Sequence, residues 1–120
     1  LISFLQLKSF SIMPIINSNS SIAANETSAN VVAGDLFEFV STPSTITLAL
    51  SGSAAGLVAT FSIGGITLAE RITVAPTDRS PILPDDYVTG AGAVPGERLF
   101  LTFSNTTGGA LTANWTIRID

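Results

Sequence analysis

A chain of 120 residues with 46% apolar and only 12% charged residues suits one domain whose surface is covered largely by Ser, Thr, Asn and Gly. Its formal charge is −4, and the five basic residues Lys8, Arg71, Arg79, Arg98 and Arg118 are scattered, so no basic stripe is offered to a phosphate backbone. Cys and His are absent, which removes disulfides, thiolate nucleophiles, the usual zinc and copper ligands and the commonest neutral-pH base.

Residues 1–16 are apolar but broken by Gln6, Lys8 and several Ser. The stretch is shorter than the roughly 20 apolar residues a membrane span needs. The only Met is Met13, followed by Pro14. We expect this segment to be an N-terminal extension that packs on a neighbour or lies loose, with Phe4, Leu5, Ile15 and Ile16 as contact residues in the first case. Residues 17–30 are small and polar and read as a linker or extended arm. The expected division is therefore an N-terminal segment and arm over residues 1–30 and a β-domain over residues 31–120.

Residues 35–40 read as a short strand with Phe37 and Phe39 on one face. Residues 45–51 alternate cleanly, with Ile46, Leu48 and Leu50 on the buried side. Residues 57–63 and 66–74 flank Gly64-Gly65, a two-residue hairpin turn in which the type I′ form needs positive φ at both positions. That turn pairs Ile63 with Ile66, Phe61 with Leu68, Ala59 with Glu70 and Leu57 with Ile72. Residues 75–96 carry four prolines and no strand or helix period, so a long connection is expected. In it Ile82, Leu83 and Tyr87 have no core to join and are candidate contact residues. Residues 98–104 and 111–119 form the last pair, with Leu99, Leu101 and Phe103 inward on one strand and Trp115 and Ile117 on the other. Antiparallel strands with one wet face must bury the other against a second sheet. The fold expected is an all-β antiparallel sandwich, with the jelly roll as one form of it and the N-terminal arm extending from it.

The polar residues assemble into no catalytic set. Glu70 is the one charge on the inner face of the hairpin, and a lone carboxylate lacks a second acid or base. Asp85-Asp86 after Pro84 fits turn chemistry better than a metal site. Serines have no His partner, and a Ser-Lys pair would need Lys8. Gly90-Ala91-Gly92 lacks the strand-to-helix context of a dinucleotide loop. Sequons occur at Asn19, Asn25, Asn105 and Asn114. We expect no enzymatic activity, no cofactor, no resident metal, no direct nucleic-acid contact and no membrane span.

Three stretches carry a resemblance: Gly34-Asp35-Leu36-Phe37-Glu38-Phe39, Pro84-Asp85-Asp86-Tyr87, and Gly96-Glu97-Arg98-Leu99 running on to Ser104-Asn105-Thr106-Thr107-Gly108. In style and order, from Val31 onward, the chain resembles small virus and phage structural proteins built on one jelly-roll or sandwich domain. The resemblance implies a capsid or virion-surface role, located in the virion, with other copies or other shell proteins as partners. The acidic charge departs from genome-lining coat proteins and implies an outer-shell, decoration or minor capsid role. Two other readings stand beside it. One is an extracellular or cell-surface filament or adhesin subunit whose N-terminal segment serves as donor strand. The other is a carbohydrate- or ion-binding β-module.

Overall fold

The computed structural model describes residues 14–120. Within them lie seven strands: β1 (Ile15–Ile22), β2 (Ser44–Gly52), β3 (Leu57–Ile63), β4 (Ile66–Thr73), β5 (Tyr87–Ala93), β6 (Leu99–Asn105) and β7 (Leu111–Ile119). They form a four-stranded sheet in the order β1-β7-β2-β5 and a three-stranded sheet in the order β4-β3-β6, every pair antiparallel. The two sheets pack face to face as a sandwich, with β4 against β5 and β1 against β6.

The core follows from period-two alternation. β3 and β6 both alternate buried and half-buried residues along their whole length, sending Leu57, Ala59, Phe61 and Ile63 inward from one and Leu99, Leu101 and Phe103 from the other. The opposite sheet answers with Ile46, Leu48 and Leu50 from β2 and Ala113, Trp115 and Ile117 from β7. Trp115 lies against Phe103 with ring centroids 5.9 Å apart, in the tilted range that aromatic pairs favour. Its Nε1 is buried and has no hydrogen-bond partner among the described residues.

Four sequence expectations change. The polar stretch expected as an arm forms β1 through Ile22 and pairs along its whole length with β7, from Ile15 opposite Arg118 to Ile22 opposite Leu111. Residues 14–30 are thus part of the sandwich, so the packing has no boundary at residue 30. The strand expected over residues 35–40 is a turn instead, in which only Phe39 bridges to Arg98. Gly34, at φ +83°, turns the chain so that Glu38 is buried while Phe39 faces solvent.

Third, the long connection ends in β5, an edge strand hidden from sequence reading by its glycines. A side chain at Gly90 would stand 2.9 Å from the Ile46 carbonyl oxygen, so close approach to β2 requires glycine there. Fourth, the hairpin register slips after its turn. Ile63 does face Ile66, but Phe61 pairs with Ala69 and Ala59 with Ile72. Two bulges and Arg71 at φ +49° absorb the extra residues. Leu68 is therefore half-buried, and Glu70 is exposed on the outermost strand of its sheet. The turn itself has positive φ at Gly64 alone, which is the type II′ pattern rather than I′.

Between β1 and β2 the chain runs beside the free edge of β6. Ser28 N–H donates to the Phe103 carbonyl at 2.7 Å, and Val31 N–H to that of Leu101 at 2.9 Å. The return bonds come from β6 to side chains: Phe103 N–H to Ser28 Oγ at 2.9 Å and Leu101 N–H to Asn30 Oδ1 at 3.0 Å. Asn30 is buried and also donates to the Leu99 carbonyl. An irregular segment thus satisfies a strand edge that would otherwise be open.

Candidate interaction surface

The strand registers divide the connections between two ends of the sandwich. At the distal end lie residues 23–26, 53–56, 74–86 and 106–110. At the proximal end lie Pro14, residues 40–43, the Gly64-Gly65 turn, residues 94–98 and Asp120.

The distal end is tied down by polar groups. Residues 75–86 fold back over the outer face of the four-stranded sheet. Ser51 Oγ and Thr77 Oγ1 share a hydrogen bond of 2.6 Å, Asp78 N–H donates to the Gly52 carbonyl, and Asn17 Nδ2 donates to Ser80 Oγ at 2.8 Å. The cover leaves Ser51 and Thr116 buried although both sit on the outer face. Arg79 grips Asp86 with two hydrogen bonds of 3.1 Å, and Asp86 also accepts the Ile82 N–H at 2.8 Å. The guanidinium holds the Asp86 carboxyl below the usual carboxylate range, with the Ile82 N–H adding to that effect and burial opposing it. Asp86 in turn raises the Arg79 pKa. Asp86 is thus committed to a loop clasp, while Asp85 is exposed. Among the described residues no three acidic side chains come together as a metal-binding group. Asn105, the third sequon, is buried: its Nδ2 donates to the Ile22 and Gly109 carbonyls, and its Oδ1 accepts from Thr107.

The proximal end is different. Of the large apolar side chains that stand exposed, Ile15 (61%), Leu36 (86%), Phe39 (56%), Ile66 (66%) and Val94 (58%) lie here. The charges among them are largely spent on one another and on backbone. Arg98 binds Glu38 and stacks over the rings of Phe39 and Phe100 at 5.9 and 5.7 Å. Glu38 also accepts the Gly34 N–H at 2.8 Å, and that bond, followed by Arg98, holds its carboxyl below the usual range. Glu97 accepts the Val94 N–H, and Arg118 pairs with Asp120. A shallow hollow of about 410 Å³ crosses this end, lined by residues 43–45, residues 92–94 and Asp120.

The contact residues expected from sequence do not form one surface. Ile82 and Tyr87 are exposed, and Leu83 between them is half-buried, all three at the distal end. The Tyr87 hydroxyl lies beside Gly90, along the edge of β5. Ile15 is exposed at the proximal end, whereas its neighbour Ile16 packs against the core. Phe4 and Leu5 lie outside the described residues. Sequence reasoning missed Leu36, Phe39, Ile66 and Val94. Leu36, Phe39 and Val94 each stand beside a residue that is buried or half-buried, and only the turns decide which of the two faces out, while Ile66 follows the Gly64-Gly65 turn between exposed neighbours. No family model, curated protein or solved structure matches the chain.

Proposed function

We propose that the protein is a structural subunit of a virus or phage particle, a capsid, minor capsid or decoration protein that works by packing against other subunits. The observation that carries this reading is the proximal end, where exposed Leu36, Phe39, Ile66 and Val94 stand among charges already paired or bonded to backbone. Monomeric proteins seldom gather large apolar residues at one place, and interface centres are depleted in free charge.

The strand order supports the same reading. The sheet orders β1-β7-β2-β5 and β4-β3-β6 would suit a jelly roll if the irregular segment bonded to β6 stood in for one of its strands. Jelly rolls serve viral shells and also lectins, so the fold favours this class without deciding within it. A lectin reading gains little from the aromatics, because exposed Phe39 and Tyr87 sit at opposite ends. The sparse charge, five basic and nine acidic residues in 120, lowers repulsion between close neighbours. Negative-stain imaging and sedimentation of the purified full chain test the proposal. Rings, shells or defined oligomers are the expected outcome.

A further inference from the structure

We propose that residues 1–13 of one copy seat on the proximal end of a neighbouring copy, so that an apolar segment from one subunit covers the apolar end of the next. This rests on the subunit reading above and adds which parts meet.

Three observations lead to it. The first is where the segment leaves the sandwich. β1 begins at Ile15, and the Pro14 carbonyl accepts the Ile119 N–H at 2.9 Å, so the chain before Pro14 departs from the proximal end itself. That segment holds eight apolar residues in thirteen, among them Phe4, Leu5, Leu7 and Phe10. The apolar segment is thus joined to the sandwich at its apolar end.

The second is reach and direction. Thirteen extended residues span roughly 43 Å, against about 14 Å across four strands. The segment is therefore much longer than its own end is wide. Proline disfavours helical backbone at the residue before it. A segment of that length that keeps to the line of β1 leads away from its own sandwich, toward a copy facing that end.

The third is charge. The segment carries one ionisable side chain, Lys8. At the proximal end Asp35 and Glu97 bond to backbone N–H groups but form no ion pair among the described residues. A seated segment brings Lys8 to an acidic rim while Phe4, Leu5 and Phe10 cover Leu36, Phe39 and Val94. The hollow between residues 43–45 and 92–94 supplies a shallow track across this end.

Two full-length variants test the proposal. The first carries Phe4→Ser, Leu5→Ser and Phe10→Ser, which spoils the segment and keeps the end. The second carries Leu36→Ser, Phe39→Ser and Val94→Ser, which spoils the end and keeps the segment. Circular dichroism checks that each retains its β-structure; none of the second set is in the core, so folding should survive. In sedimentation velocity the wild-type chain should form oligomers and each variant alone should lose them. A one-to-one mixture of the two variants should form a heterodimer, because each supplies the part the other lacks. Variants that oligomerise like wild type, or a mixture that stays monomeric while wild type assembles, overturn the seat and leave the subunit reading standing. A wild-type chain that is itself monomeric overturns the subunit reading as well.

Discussion

Arg79 and Asp86 form a two-pronged ion pair, with both nitrogen–oxygen distances at 3.1 Å, that closes residues 79–86 into a clasp over the four-stranded sheet. Such planar, bidentate geometry is stronger than a single charged contact. The Asp86 side chain is almost fully covered, and it also holds the Ile82 N–H. Replacing Asp86 with Ala removes three hydrogen bonds and uncovers the sheet face beneath. The expected cost is about 2 kcal/mol in urea unfolding, with faster proteolytic cleavage in residues 75–86. An unchanged midpoint would mean that the loop is held without the clasp, by its other bonds to Gly52, Ser51 and Asn17.

Acid should weaken the fold through two carboxylates. Glu38 and Asp86 both have folded pKa values lowered, Glu38 by the Gly34 N–H and Arg98, Asp86 by Arg79 and the Ile82 N–H. A lowered folded pKa means that the unfolded chain binds protons more readily. The stability they contribute is therefore complete above the unfolded carboxylate pKa of about 4 and is lost as pH falls through the folded values. Urea midpoints should be flat from pH 5 to 8 as far as these groups act, and should fall below pH 4. The double variant Glu38→Gln, Asp86→Asn should start lower and show a shallower fall.

Gly64 and Gly65 should differ sharply, although the sequence presents them as a pair. Gly64 sits at φ +63°, and a side chain there would collide with a Glu97 carboxylate oxygen. Gly65 has nothing within 4 Å and no positive φ. Gly64→Ala should cost roughly 1–2 kcal/mol from backbone strain. Gly65→Ala should be close to neutral, and thermal unfolding of the two variants checks the contrast.

Trp115 combines a large buried ring with a stranded Nε1–H. Trp115→Ala should cost about 3–5 kcal/mol as a cavity opens beside Phe103. Trp115→Phe should cost markedly less than its lost volume suggests, because it also removes an unpaired buried donor, itself worth about 1–3 kcal/mol. Equal losses for the two variants would show that the indole nitrogen finds a partner.

The strands with strict alternation were legible from sequence. Residues 45–51, 57–63 and 111–119 each present a run of apolar residues at every second position, and all three form strands with those residues buried except Leu111, which is half-buried. Where tertiary partners set the conformation, the signal failed. β1 is polar along its middle, from Asn17 to Ser21, with only Ile16 and Ile22 turned to the core, so its pairing with β7 leaves little apolar period to read. β5 hides behind Gly90 and Gly92. The segment beside β6 uses the side chains of Ser28 and Asn30 as acceptors, which in sequence look like ordinary loop residues. The proximal end was illegible for a related reason. Phe37 and Phe39 look equivalent, yet the turn at Gly34 sends Phe37 toward the core and leaves Phe39 outside under Arg98.

The proposed role of this sandwich is to pack against other copies through its apolar proximal end. Sedimentation velocity of the full-length chain over a wide concentration range tests it most directly, alongside a full-length variant with Leu36→Ser, Phe39→Ser, Ile66→Ser and Val94→Ser. Defined oligomers are expected for the wild-type chain and, for the variant, one folded species near the 12.4 kDa monomer mass. A wild-type chain that stays at monomer mass at every concentration, or a variant that assembles as the wild type does, would contradict it.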